Sequence, residues 1–366
     1  MRSEGLDDPE FSWWEEEQGP VRLTLSAAVT TTQTTVVIDA GDAQDLVAGD
    51  LLMVEKTENQ TGEYDNELVE VVSITNGTNF VVSRGAANTT AGTIADNANM
   101  TRIGTVFAEG TTSPDSASRN PTKYTNYAEI FKKTYELTGT AAKPVKTRTG
   151  NPIANDKKRA MFDHAVDMEL AYFFGKPYET TGSNSKPKRF TGGMRHFLGA
   201  AKLADAAGSA HCVKIWTTTP TEDEVLDTAY KMWDYRGAET GSNERIALAG
   251  NGFLNSLNKL ARNSSSTRVN FDGTVSTYGM DLQRWVLPQG TLYVRSHPLF
   301  NVHGRFTNSA FFINPRAIVD RGYRKTRFKD NVQANDADTE KGEWLSEMGP
   351  EFHHMKTMAY WGNFIV

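Results

Sequence analysis

Hydrophobic and polar positions follow two different rhythms along the chain, and the change of rhythm divides it. From residue 21 to 104 the apolar residues come in short β-branched or alternating runs, at 21–25, 35–38, 51–54, 67–74 and 80–84. Turn signals separate them: Asp39-Ala-Gly41, Ala48-Gly49-Asp50, Thr61-Gly62 and Asn76-Gly77. The pattern predicts an all-β unit with a hairpin across Asn76-Gly77. Roughly eighty residues of this kind suffice for a small barrel or sandwich with its own core. A polar loop follows at 109–123, and order resumes over 127–137 as a strand or an extended-to-helical stretch. The clearest helix spans 155–174. Met161, Ala165, Met168 and Tyr172 recur at helical spacing, charged residues occupy the other faces, and Gly175 and Pro177 close it. Thr221 and Glu224 have the capping-box spacing and announce a second helix over 222–235, with Gly237 as its C-cap. Strands are predicted at 245–249, 290–294 and 310–313, and a helix at 252–262. Helices and strands are interspersed without the regular alternation of a doubly wound sheet, so the body reads as mixed α+β.

Charge sharpens this division. The 366 residues carry a formal net charge of −6. Residues 1–20 contain one basic and seven acidic residues, and 21–104 contain four basic and eleven acidic ones. The remainder is therefore net basic. Such a chain tolerates a polyanion against its body while the acidic part faces solvent. No apolar run approaches the ~18 residues of a membrane span. The acidic, aromatic start lacks the pattern of a signal peptide. The single cysteine, Cys212, excludes a disulfide framework and a cysteine-based zinc site. Composition thus leads to the expectation of a soluble, globular chain of intracellular origin, whose Asn-x-Thr triplets at Asn59, Asn76 and Asn88 stay unglycosylated.

The candidate chemistry is thin. His353-His354 beside Glu351 offers ligand types for a metal, but neighbours on a strand point to opposite faces. Asp336-Ala-Asp338-Thr-Glu340 alternates oxygen ligands without the glycine and distal glutamate of a calcium loop. Gly250-Asn-Gly252 follows a strand and opens a helix, yet Asn255 stands where a dinucleotide loop has its third glycine. Cys212 follows His211 too closely to form a nucleophile and base, and reads as a packed thiol. No cofactor is predicted. Basic clusters at Lys186-Pro-Lys188-Arg189 and over 321–329 offer phosphate contacts, without a groove-reading motif beside them.

Several short motifs fall in a telling order. They are Phe11-Ser-Trp13-Trp14 before Glu15-Glu-Glu17; Ala108-Glu109-Gly110 with Asn126-Tyr127-Ala-Glu-Ile130-Phe131; Lys157-Lys158-Arg159 through Asp167-Met-Glu169; Arg189-Phe-Thr-Gly192-Gly193-Met194; 224–235 with Ile246-Ala-Leu-Ala249 and 253–257; and 317–324 before Gly342-Glu343-Trp-Leu345-Ser-Glu347. In this order the chain resembles the major capsid proteins of tailed phages with the Hong Kong 97-type fold, in a podovirus-like branch. The resemblance covers 105–366 and part of 1–20. It implies an α+β fold with a spine helix, P-domain, A-domain and extended E-loop. Residues 1–20 would be a short N-terminal arm and the start of the E-loop, and 21–104 an inserted β-barrel or β-sandwich. Residues 105–153 would be the E-loop return and a P-domain strand, 154–220 the spine helix and P-domain, and 221–366 the A-domain and the return to the P-domain.

The function implied is that of a shell subunit, not an enzyme, closing into pentamers and hexamers with copies of itself. Its other partners would be a portal at one vertex, a scaffold, decoration or cement protein, and packaged double-stranded DNA held without sequence reading. No membrane is expected. It would be assembled in the host bacterial cytoplasm and reside in the virion. Phe11, Trp13, Trp14 and Glu15 are the expected intersubunit contacts, and Lys188, Arg189, Arg324, Lys325 and Arg327 the lumen- or DNA-facing cations. Three rival readings stay open: a nanocompartment shell, another phage structural protein such as a tail-tube or baseplate subunit, and a hydrolase with an accessory β-domain.

Overall fold

The computed structural model describes residues 2–16, 21–39, 41–56, 66–116, 120–143, 151–202, 213–233, 243–263, 271–277, 280–302 and 304–366. Asn59, His211, Cys212 and Gly237 lie outside them. The chain forms two compact units, Trp14–Thr122 and a larger one of Met1–Trp13 with Lys123–Val366.

Two strands open the chain, β1 (Arg2–Gly5) and β2 (Glu10–Glu15). Six then build the smaller unit: β3 (Arg22–Thr24), β4 (Thr35–Val37), β5 (Asp50–Val54), β6 (Leu68–Ile74), β7 (Asn79–Ala86) and β8 (Asn99–Thr105). They pair in the order β3-β8-β5-β6-β7-β4, all antiparallel. Beyond β3 and β4, Leu25 bridges Ile38. The Ser26 N–H donates to the Val37 carbonyl and the Asp39 N–H to the Thr24 carbonyl, both at 3.0 Å. The two edges therefore meet, and the sheet closes as a barrel. Strand alternation sends Leu23, Val36, Leu52, Val69, Val71, Phe80 and Val82 inward to a single core. At the β6–β7 hairpin, Asn76 Oδ1 accepts from the N–H groups of Thr78 (2.9 Å) and Asn79 (2.8 Å), the Asx geometry that favours asparagine there. Arg84 and Glu67 form a two-pronged buried ion pair, Nε–Oε1 2.6 Å and Nη2–Oε2 2.7 Å.

The elements that follow, in chain order, are β9 (Thr122–Tyr127), β10 (Glu129–Thr138), α1 (Pro152–Phe174), β11 (Tyr178–Thr181), β12 (Pro187–Phe190), α2 (Met194–Lys202), β13 (Val213–Ile215), α3 (Glu222–Ala229), β14 (Glu244–Ala249), α4 (Asn251–Asn263), β15 (Phe271–Thr277), β16 (Met280–Val286), β17 (Thr291–Ser296), β18 (Ala310–Ile313), β19 (Ile318–Lys329), β20 (Thr339–Phe352) and β21 (Ala359–Gly362). Outside the barrel the described residues form two large sheets and two two-stranded ribbons, β2-β9 and β11-β12. One sheet runs β1-β19-β20-β10, with β1 parallel to β19 and a long antiparallel hairpin at its centre. The other has seven strands in the order β13-β21-β18-β14-β17-β16-β15. Alternation along β18 and β21 gives this sheet two apolar faces. Phe312 and Trp361 join Val225, Phe253 and Leu257 of α3 and α4, while Phe311 and Tyr360 join Met194, Phe197, Phe300 and Phe352.

The helix ends follow local chemistry. Asn151 caps α1, its side chain accepting from the Ile153 N–H, with Pro152 in the first turn, so the helix starts three residues before the predicted position. The capping box of α3 is complete: Thr221 Oγ1 accepts from the Glu224 N–H (3.3 Å) and Glu224 Oε2 from the Thr221 N–H (3.1 Å). This α-helix is shorter than predicted and continues as a 3₁₀ turn over Tyr230–Trp233.

Candidate functional site

Three features bear on the expected role: the aromatic segment of β2, the outer side of α1 and the charges on the β19–β20 hairpin. Burial along β2 alternates strictly, which splits the aromatic triplet. Phe11 and Trp13 point into the chain's own core. Trp13 stacks on Tyr124 at 5.8 Å between ring centroids and meets Phe197 at 5.3 Å. Phe11 and Trp13, expected among the intersubunit contacts, are already covered within the chain. Trp14, one residue on, is 60% exposed, and Glu15 is buried. Ser12 and Thr125 share a hydroxyl hydrogen bond at 3.1 Å that ties β2 to β9.

The long helix α1 lies along β10 and β20. Its inward residues are Ala160 and His164, not the Met161–Ala165 stripe that the spacing singled out. His164 Nε2 is 2.7 Å from Ser346 Oγ, which is 2.8 Å from Thr326 Oγ1, so one hydroxyl chain runs from helix to hairpin. Burial pushes the His164 imidazole below its ordinary range; attraction from Asp167 opposes this and repulsion from Lys133 adds to it. Asp167 also pairs with Lys133 at 2.8 Å. Further along α1, Glu169 Oε1 meets His297 Nε2 at 2.8 Å and Tyr172 donates to Asp320. Burial, then the Asp320 charge, pushes the Tyr172 phenol far up. Met161 and Phe162 are left outward, Phe162 at 68% exposure.

The hairpin explains the basic cluster. Arg321 donates to Glu351 and Glu4, Arg324 to Glu347, and Lys329 lies 4.0 Å from Glu343. Burial alone would raise the Glu351 carboxyl. Hydrogen bonds from His353 and Arg321 outweigh it, and the group sits below the usual carboxylate range. The cluster at 321–329 is therefore largely an internal charge ladder. Lys325 and Arg327 are the exceptions: both are exposed, and among the described residues neither pairs with a carboxylate. On β12, Arg189 is bound to Glu179 at 2.7 Å and Lys188 rests over the Phe190 ring at 4.9 Å. Of the five cations expected to face DNA, Arg189 and Arg324 are thus already engaged.

Two of the remaining candidates take structural roles. Glu351 is bound by both Arg321 and His353, the latter at 2.7 Å, and His354 turns away in the left-handed region at φ 51°. The glycines of Gly250-Asn-Gly252 let the 307–308 turn press on the start of α4; a Cβ at Gly250 would lie 2.3 Å from the Thr307 carbonyl oxygen. Asn126, given no role of its own in the sequence reading, is fully buried. It accepts from the Gly192 N–H (2.6 Å) and donates to the Gly192 (3.1 Å) and Pro350 (2.8 Å) carbonyls. Asn126 lies within a quoted motif, but its partners are separated from it by 66 and 224 positions.

With this geometry established, comparison with known proteins adds the following. Residues 2–363 match the sequence model of a family described as SU10 major capsid protein. A major capsid protein of Pseudomonas phage PaMx41 is 27% identical over 258 residues, 70% of this chain and 59% of that protein. The chain thus spans about three-fifths of that relative's length. Among solved structures, the empty-particle capsid of a GTA shares 11% identity at a TM-score of 0.45, covering 72% of this chain and 81% of that one. The cyanophage Pam1 capsid shares 12% at 0.36, covering 71% and 82%. The SrpI encapsulin of Synechococcus elongatus PCC 7942 shares 10% at 0.41, covering 67% and 76%.

Proposed function

The chain belongs to the SU10 major capsid protein family, and from that premise we propose that it builds the icosahedral shell of a phage of the Hong Kong 97-type, closing with copies of itself into pentamers and hexamers. The observation that carries this reading is the match of almost the whole chain to one capsid family. Exposed apolar side chains in both units support it. Met161 and Phe162 stand exposed on the long helix and Trp14 on β2, the kind of aromatic and methionine side chains that anchor protein interfaces. Heterologous contacts through such anchors close into rings when the rotation fits.

The role is structural, with no catalytic step. Lys325 and Arg327, helped by Lys188, would hold packaged double-stranded DNA electrostatically and without sequence reading. A portal at one vertex and a scaffold, decoration or cement protein complete the expected partners, with assembly in the host cytoplasm and residence in the virion. The test is to express the chain alone and follow it by sedimentation velocity and negative-stain electron microscopy. Closed shells, rings of five or six, or open sheets are expected. A chain that stays monomeric at high concentration and with crowding agents would overturn the reading.

A further inference from the structure

We infer that one apolar end of the small barrel seats on the net-basic body of a second copy of this chain, an inference that rests on the shell reading above. Val21, Val72, Ile103, Val106 and Phe107 are each 46–53% exposed. Backbone hydrogen bonds bring them to one end of the barrel. The Gly49 N–H donates to the Val71 carbonyl and the Val106 N–H to the Gly49 carbonyl, both at 2.8 Å, while the Arg102 N–H donates to the Val21 carbonyl at 2.7 Å. Scattered single apolar residues are ordinary on a surface; a contiguous set at one end is not.

Two backbone features hold these side chains outward. Ile103 is the extra residue of a bulge, since Leu51 pairs with Gly104 and Leu52 with Arg102. A bulge re-aims a side chain that alternation would otherwise place elsewhere. Gly49 takes φ +95°, and a Cβ there would lie 2.5 Å from the Phe107 ring. The glycine both allows the turn and leaves room for the ring to lie across it.

Charge selects the occupant. Residues 21–104 carry eleven acidic against four basic residues, whereas everything after 104 is net basic. Two such barrels repel, and a barrel and a basic body attract. Glu70 and Glu109 stand near the apolar set in sequence, and Glu109 is exposed. Ring closure also removes both sheet edges, so strand addition is unavailable and the contact has to be made by side chains.

The test uses particles assembled from equal amounts of light and isotopically heavy full-length chain, with a photoreactive phenylalanine analogue at position 107. After irradiation, mass spectrometry should find position 107 joined to peptides from 123–366. About half of those pairs should be heavy–light, the statistical share for contact between copies. Pairs that are never heavy–light would show the barrel end resting on its own chain. Pairs joining 107 to another barrel, or no cross-link at all, would equally overturn the inference. In parallel, Val72→Asp and Phe107→Asp should lower the yield of closed particles at least about tenfold, with the melting of the monomer unchanged. Unchanged yield would refute the inference. A wild-type chain that forms no particle removes the shell reading and this inference together, whereas wild-type shells with own-chain cross-links remove the inference alone.

Discussion

Glu67→Ala should be among the most damaging single changes in the barrel. The Glu67 side chain is fully buried and that of Arg84 nearly so. Glu67 accepts two hydrogen bonds from the guanidinium and two from the N–H groups of Gly85 (3.2 Å) and Gly92 (3.1 Å). Arg84 in turn donates to the carbonyls of Thr30 (2.7 Å), Gln33 (3.2 Å) and Gly92 (2.5 Å). Removing one partner of a buried pair costs about 3–5 kcal/mol, because the other charge is left uncompensated. The two orphaned amides add to that cost before water enters. Against a domain stability of about 5–15 kcal/mol, this brings the barrel close to unfolding. Because the chain has two compact units, a single unfolding midpoint would mix them. Hydrogen exchange of the β7 amides reads the barrel directly and should accelerate by about two to four powers of ten. Replacing both residues with methionine should recover less than half of the loss, since the three carbonyls bound by Arg84 lose their donor. An effect of Glu67→Ala below about 1 kcal/mol would refute the reasoning, because it would mean that Arg84 finds water or another partner.

Other outcomes follow from the same geometry. Trp13→Ala should destabilise the larger unit by about 3–5 kcal/mol in urea unfolding, whereas Trp14→Ala should leave the monomer within about 0.5 kcal/mol and lower the particle yield. Asn126→Ala should cost at least about 2 kcal/mol in the same measurement, as Gly192 and Pro350 lose their buried partner. The folded-state value of His164 lies below its unfolded one, so the unfolded chain takes up the extra proton; stability is complete above the ordinary histidine range and falls as pH drops below it. Glu351 acts in the same direction at lower pH, its contribution being lost as pH falls through its depressed value. His164→Gln should therefore flatten the change in hydrogen-exchange protection of the β10 and β20 amides between about pH 7.5 and 5.5. Lys325→Gln with Arg327→Gln should weaken DNA retention and reduce its salt dependence, while Arg324→Gln should mainly lower stability by freeing Glu347.

Much of the fold was legible where local chemistry decides the backbone. The β6–β7 hairpin was announced by Asn76-Gly77, α3 by its capping box, and strands β14 and β18 by short apolar runs between turns. Strand β8 went unread because Asn99, Thr101 and Arg102 dilute its alternation, and its pairing with β3 and β5 is long-range. The inward side of α1 was misread for a related reason. The spacing singles out one apolar stripe, but the choice of Ala160 and His164 over Met161 and Ala165 is made by Ser346 and Phe131, on other elements. Strand β20 shows the limit best. Its glutamates look like a solvated face, yet Glu347 and Glu351 are buried because Arg321 and Arg324 arrive on the neighbouring strand. The same pairing hid how few of the basic residues are available for contact with DNA.

The route of the chain through the barrel has an evolutionary consequence. The polypeptide enters at β3 and leaves at β8, and these strands are direct neighbours, with Arg22 opposite Thr101. Neighbouring strands lie about 4.8 Å apart, so the points of entry and exit are separated by no more than a tight turn can span. A gene segment encoding the whole barrel could be lost or acquired in one recombination event, with a two-residue connection left in its place. Selection could then act on the barrel as an exchangeable cassette, altering what the module contributes without demanding compensating changes in the segments that flank it.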